Sequence, residues 1–463
     1  MTLRTRRIIM ISFILAFFIL APIIIFYSSG YRLDIKRVKI IKTGTLMVEA
    51  KDIKNANLYI DNKLYEEPFD EKIFIYNLLP GEYQIRLEKE GYHNWERKIT
   101  INSSLTTFAK DIILFKKNLP LQLIEGNVTD FYLSPDKQKI VYILKTNEFL
   151  ELYLYDLNIK NNNLIYRIGS GYENIVVKWA ASGKKILLGL DDNYLVFDIN
   201  NLQQGKSINK IIGFKPTSIT WDINSDNIIY ILYNESIYSL DLIFAKLDKL
   251  FFSTREEPLA SEFFIEGSDI FYIVNQEQRN VLYKYNLNFQ TDKHINNLSK
   301  STNYKFIKSA NNYLNLLDQD NQKLYLIKKV ITDLETEISG SSAIQELPAK
   351  NALWDLKEKN LLIYNDFEIT IFNSGTEETT FINRYGQEIK KIEWHPSLQY
   401  IVILIEDSIK IIDLNLTNGT RNIIEITNFD QLHDFSIDKD GEIIYFNGQI
   451  GKQQGLYEIK IIE

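Results

Sequence analysis

The sequence predicts an all-β protein carried behind one apolar N-terminal helix. Three observations predict it: an uncharged run of twenty residues from Ile8 to Tyr27, a stretch in period-two alternation from Gly44 to Phe115, and a pattern that recurs eight times in the rest of the 463-residue chain. Two or three domains are expected at that length, because single cores stop growing beyond roughly 250–300 residues. An apolar fraction of 45% with 24% charge belongs to a folded chain, neither disordered nor coiled-coil.

The N-terminal run, "IIMISFILAFFILAPIIIFY", has the length to cross a hydrocarbon core of about 30 Å at about 1.5 Å per helical residue. Residues 1–7 then form a cytoplasmic leader, 8–27 a transmembrane helix and 28–43 a linker. Arg4, Arg6 and Arg7 favour an N-terminus held in the cytoplasm and an exported body, although Arg32, Lys36 and Arg37 beyond the span pull the other way. A cleaved signal peptide, processed near Ser28-Ser29-Gly30, is the alternative. The run exceeds the roughly 7–15 apolar residues of such peptides, so a retained single-pass anchor is expected. Pro22 lies inside the span, where membrane helices tolerate the kink it brings.

Composition excludes several chemistries. Cysteine is absent, which removes disulfides, thiolate metal sites and cysteine nucleophiles. Much Ile, Asn and Lys with nine Pro points to an AT-rich prokaryotic genome, where Asn415-Leu416-Thr417 is a chance match to a glycosylation acceptor. Residues 1–43 hold eight Lys/Arg and one Asp; the remainder holds 45 basic and 59 acidic residues, net −14. No nucleic-acid partner is expected, because phosphate binding needs clustered positive charge.

Between residues 44 and 116 the runs "GTLMVEA", "ANLYIDN", "KIFIYNL", "EYQIRLEKE", "WERKITI" and "TTFAKDIILF" alternate with period two, which gives each strand one buried face. Tyr83, Ile85 and Leu87 point one way and Gln84, Arg86 and Glu88 the other. Pro80-Gly81 and Gly91 supply turns, with positive φ expected at both glycines. A small β-sandwich follows. Its "GTLMV" strand, "ANLYIDN" strand and turn, and "LLPGEYQIRLEKEGYHNW" element resemble the PEGA domain family. Ile53-Lys54-Asn55-Ala56 keeps only Ala56 of the four residues that name that family, and Asn62 replaces its usual Gly, departures confined to turns. The resemblance implies a non-catalytic surface module of bacterial or archaeal proteins. Tyr92 and Trp95 are its candidate sugar-stacking rings, with packing inside the sandwich the competing reading.

After residue 117 eight segments align: "YLSPDKQKIVYI", "KWAASGKKILLGL", "TWDINSDNIIYIL", "EFFIEGSDIFYI", "KFIKSANNYLNLL", "LWDLKEKNLLIYN", "EWHPSLQYIVILI" and "DFSIDKDGEIIYF". Leu133, Trp179, Trp221, Phe263, Ile307, Trp354 and Trp394 each stand seven residues before an Ile or Leu; in the eighth unit Phe435 stands eight before Ile443. A third strand such as "LELYLYDLN" and a less regular fourth such as "NNLIYRIGS" follow, and the units repeat every 40–47 residues. Four antiparallel strands per unit at that period mark the blades of a β-propeller. Eight blades are expected over 117–463, or seven if one unit is misjudged, and "LPLQLIEG" at 119–126 supplies the strand the last blade lacks. Elements such as "SPDKQKIVYI" and "LYLYDLN" resemble WD-repeat-like and TolB-type propellers. That resemblance implies an interaction scaffold with ligands at the loop faces and channel mouth. The tryptophans are expected largely buried between blades, as poor ligand sites.

Chemistry is otherwise sparse. His93, His294, His395 and His433 stand alone, without metal-ligand spacing, and His395 in "WHPSLQY" reads as a turn residue. "DKDGE" at Asp438–Glu442 is too short for a calcium loop and reads as a hairpin turn. No nucleophile elbow or Walker loop occurs. Asp191, Asp192 and Glu393 are acids with no stronger claim than many others. No catalytic, cofactor-binding or metal residue is therefore assigned and no cofactor is expected. The expectation is a membrane-anchored, extracytoplasmic binding or scaffold protein of the prokaryotic cell envelope, with an envelope protein or cell-wall glycan as partner. A glycan-active propeller enzyme, hydrolase or lyase, is the alternative. A signalling role fits less well, since only seven residues precede the span.

Overall fold

The computed structural model describes residues 3–34, 39–169, 171–310, 312–331, 336–337, 344–415 and 421–462. Lys36, Arg37, Leu416 and Thr417 lie outside them. The chain divides into two compact units, Met1–Leu119 with Ile411–Ile426 and Lys460–Glu463, and Pro120–Lys410 with Thr427–Ile459.

In the first unit, helix α1 (Leu3–Ser28) contains Pro22 and buries no residue. Among the described residues it is the one helix long and apolar enough to cross a membrane, a property that anchors and signal sequences share. Strands β1 (Tyr31–Asp34) and β2 (Lys39–Lys42) pair behind it as a hairpin. The sandwich consists of two sheets. One sets β3 (Gly44–Glu49) between β6 (Lys72–Leu78) and β9 (Thr106–Ala109), with β3 and β9 parallel. The other has the order β5 (Lys63–Leu64), β4 (Asn57–Ile60), β7 (Gly81–Glu88) and β8 (Trp95–Ile101).

The alternation works as its period requires: Leu46, Val48, Leu58, Ile85 and Leu87 are buried in one core with Trp95. The turns are partly different. Gly91 has φ of 81°, but Gly81 is not in the left-handed region, and Asn77 before it takes that conformation instead. Asp61 and Asn62 both have positive φ, so the substituted position keeps its turn because Asn tolerates the left-handed conformation that Gly adopts freely.

The propeller contains eight four-stranded antiparallel sheets among the described residues, one per repeat. Their first strands are Asn127–Leu133, Ile175–Trp179, Ser218–Trp221, Leu259–Glu266, Tyr304–Ala310, Asn351–Trp354, Ile389–Trp394 and Gln431–Ile437. Strand β10 (Leu121–Glu125) joins the eighth sheet, pairing antiparallel with Gln453–Lys460. Val128, Phe131 and Ile140 of the first sheet share a buried cluster with Tyr445 and Leu456 of the eighth. Asn447 Nδ2 also donates to the Val128 and Thr129 carbonyls, each at 3.0 Å. The two ends of the series thus pack together, which removes the exposed edges an open series would leave.

The seven-residue spacing is a cross-strand pair in four sheets: Leu133 opposes Ile140, Trp179 Ile186, Trp354 Leu361 and Trp394 Ile401. Elsewhere it slips. Trp221 faces Ile229 and Ile307 faces Asn315. Two elements have no counterpart in the repeat: a short helix at Ile208–Ile212, capped by the Ser207 side chain, and a hairpin of Val330–Ile331 with Thr336–Glu337 set before the fourth strand of the fifth sheet.

Candidate binding site at the propeller face

First strands contact one another between the fourth and fifth, fifth and sixth, seventh and eighth, and eighth and first sheets, which places the first strands toward the axis of the ring. The residue just before the aligned tryptophan position reaches the next sheet along. Lys178 Nζ donates to the Ile219 carbonyl at 3.4 Å. Glu262 accepts the Phe306 N–H at 3.0 Å, and Glu393 accepts the Ile437 N–H at 3.1 Å. Burial pushes the Glu262 carboxyl up and the Lys178 ammonium down, while Lys178 and Lys305 partly hold Glu262 charged. On the other side of the ring, Lys391 Nζ lies 2.9 Å from Asp434 and 3.2 Å from Glu393, and donates to the Phe435 carbonyl at 2.6 Å. Burial raises the Asp434 carboxyl, and Lys391 counters that shift.

The tryptophans end their strands and act across sheets. Trp179 Nε1 donates to the Tyr132 carbonyl at 3.1 Å, Trp221 to Lys178 at 3.2 Å and Trp394 to Leu353 at 2.9 Å, in each case one sheet back. Trp354 Nε1 is buried and makes no hydrogen bond among the described residues. Trp221 is buried, but Trp179, Trp354 and Trp394 are half-buried. Trp221 is as buried as expected, and the other three keep part of their surface free, because at the end of a first strand an indole has a sheet on one side and the turn face on the other.

Their free faces line two cavities at the same end of the first strands. One, of about 400 Å³, has Trp354, Trp394, Tyr364 and Leu356 as apolar walls, with Lys137 and Lys391 among its polar groups. The other, of about 530 Å³, is bounded by Trp179, Trp221, Phe264 and Phe306, with Glu262 and Lys308. Aromatic walls with a few fixed charges suit the capture of a ligand segment. Repeat reasoning missed these cavities because their walls come from sheets far apart in sequence.

The other candidates take structural places. Tyr92 and Trp95 are buried in the sandwich core. His395 is 1% exposed, with Nδ1 2.8 Å from Ser397 Oγ and Nε2 3.0 Å from the Gly441 carbonyl. His93 is half-buried, its Nε2 without a partner among the described residues; His294 and His433 are exposed. Asp438 caps its hairpin by accepting the Glu442 and Ile443 N–H groups. Asp191 accepts the Glu173 and Asn174 N–H groups, and Asp192 pairs with Lys215 at 2.8 Å. Glu393 alone of the three named acids lines a cavity. No cluster of three or more His, Asp or Glu with metal-site geometry occurs among the described residues.

The architecture defines a β-propeller protein that also carries a PEGA domain, the family matched by residues 44–114. The chain is similar in fold to the Dos1 propeller, at 11% identity and TM-score 0.48, over 74% of this chain and 94% of that one. It is similar also to a eukaryotic initiation factor, at 12% and 0.46 over 73% and 89%, and to an oligogalacturonate lyase in complex with manganese, at 10% and 0.43 over 75% and 96%. No curated protein matches the chain.

Proposed function

We propose that the protein is a membrane-anchored, extracytoplasmic binding or scaffold protein of the prokaryotic cell envelope, in which an eight-bladed ring presents the recognition face. The observation that carries this reading is the cavity walled by Trp354 and Trp394 and edged by Lys137 and Leu356, on a chain whose one membrane-length helix among the described residues is N-terminal. The partner is an envelope protein or a wall glycan. A photo-crosslinking residue at Leu356, 76% exposed at that cavity, is expected to capture it in intact cells; one at Phe244, 78% exposed and outside both cavities, is not. Equal capture from both positions, or from neither, overturns the site.

The chain has no cysteine, so location is tested with Phe244→Cys. A membrane-impermeant maleimide is expected to label it in intact cells; labelling only after lysis refutes export. A glycan-active enzyme is the second reading, favoured by one observation: Glu393, at the cavity, shares Lys391 with Asp434, whose carboxyl is held above its usual range. Turnover of wall glycan that Glu393→Gln abolishes would establish it.

A further inference from the structure

We propose that the outer face of the three-stranded PEGA sheet docks on the bilayer surface beside the anchor, an inference that rests on the retained anchor proposed above. That face is unusual for a surface module. Phe74, Tyr76 and Phe108 project from it and are 40%, 64% and 57% exposed. Their neighbours Ile73, Ile75 and Ala109 turn into the core. Met47 on the central strand is the register partner of both Phe74 and Phe108. It is buried without belonging to the sandwich core, as a side chain flanked by two rings would be. The strands therefore carry an apolar row across their outer side, with the Phe74 and Tyr76 rings stacked 6.1 Å apart. Contiguous exposed apolar area of this kind marks an interaction surface.

Hydrogen bonds within this unit set the row close to the helix end. Thr43 donates to the Gly30 carbonyl through both its N–H, at 2.9 Å, and its hydroxyl, at 2.8 Å. The chain leaves the helix, runs out and back through the β1–β2 hairpin, and starts β3 beside the point where it left. Met47 stands three residues further, roughly 10 Å along a strand. The turn holding Leu105, 59% exposed, is bound to the same place: Ser104 N–H donates to the Thr43 carbonyl, and Thr45 N–H to that of Leu105. At the helix end the Arg32 guanidinium sits 3.5 Å from the Tyr27 ring centre, a pairing suited to the headgroup layer.

The pairing of lysines with the exposed rings selects the occupant. Lys72 and Lys110 lie over the Phe74 and Phe108 rings, with ammonium-to-centroid distances of 5.3 and 4.7 Å. Lys39 and Lys42 are exposed on the hairpin. Asp34 on the hairpin, Glu49 on the sheet, and Glu71 and Asp111 next to the two ring-covering lysines balance these charges overall, so the cations act locally, each Lys72 and Lys110 ammonium over its own ring. Rings that enter the headgroup boundary while lysine stems reach phosphates form the interfacial pattern.

The test uses the full chain reconstituted in vesicles of phosphatidylcholine with phosphatidylglycerol. An environment-sensitive fluorophore is attached to Tyr76→Cys or Phe108→Cys, with Glu82→Cys, exposed on the other sheet, as the solvent reference and Phe17→Cys as the anchor reference. The expected result is blue-shifted emission at 76 and 108 that spin-labelled lipid quenches, with no change at 82. Combining either label with Lys72→Glu and Lys110→Glu should restore solvent-like emission. Labels at 76 and 108 that match 82 while 17 is quenched overturn the docking and leave the anchor intact. A label at 17 that is not quenched refutes the anchor itself. Labels at 76 and 108 shielded by purified wall glycan in detergent, but not by lipid, assign the face to glycan and overturn the proposal.

Discussion

The indole N–H of Trp221 donates to the main-chain carbonyl of Lys178, 3.2 Å away in the preceding sheet. Trp179 and Trp394 repeat the bond to Tyr132 and Leu353, and Trp354 does not. One aligned aromatic thus ties sheet to sheet in three places and leaves a buried donor unpaired in the fourth. Trp221→Phe is therefore expected to cost about 1 kcal/mol more than Trp354→Phe in denaturant unfolding, since only the first loses a hydrogen bond, the part-buried one to the Lys178 carbonyl. Trp221→Ala should cost about 3–5 kcal/mol. Equal costs for the two Phe variants would remove the bond from the account.

Ring closure has its own probe. A Cβ on Gly455 would stand 2.2 Å from the Ile124 carbonyl, so Gly455→Ala must push β10 away from the last strand. A loss of about 1–3 kcal/mol is expected, as for other overpacked contacts. Gly386→Ala, where a Cβ meets nothing within 4 Å, should stay within about 0.5 kcal/mol of the parent. The contrast is read from thermal and urea midpoints.

His395 confers an acid-sensitive stability. Burial holds its imidazole down at about 4, while its bond to the Gly441 carbonyl pulls the other way. The unfolded chain takes up the proton near pH 6.5 and the folded chain does not. The contribution is thus fully present above about pH 6.5 and is lost as pH falls to about 4, some 3 kcal/mol in all. Stability measured between those limits should fall less steeply for His395→Gln than for the parent. Parallel profiles would show that the group is solvated.

Lys391 neutralises two carboxylates at once. Lys391→Met should cost about 1–2 kcal/mol, because Glu393 and Asp434 lose their shared cation at a place that is only partly shielded from water. Adding Asp434→Asn should recover part of that loss, and a double-mutant cycle measures how much. Strict additivity would mean that the contact between Lys391 and Asp434 carries no coupling.

The PEGA alternation, the apolar helix and the eight repeats were legible in the chain alone. Each depends on neighbours in sequence: period two buries Ile85 and Leu87 whatever surrounds the sandwich, and a run without charge has one low-energy medium. Turn conformation was legible only in part, since Gly91 took positive φ and Gly81 did not. The closing strand at 119–126 was legible as well, but the tertiary structure decided what depends on partners distant in sequence: its register, with Leu121 opposite Glu458, that Trp354 rather than Trp221 lacks an acceptor, and that Lys391 lies between two acids from different sheets. Repeat periodicity assigns equivalent residues to equivalent strands. The depth of each indole and the cavities between sheets depend instead on how each twisted sheet meets the next, which only the folded ring determines.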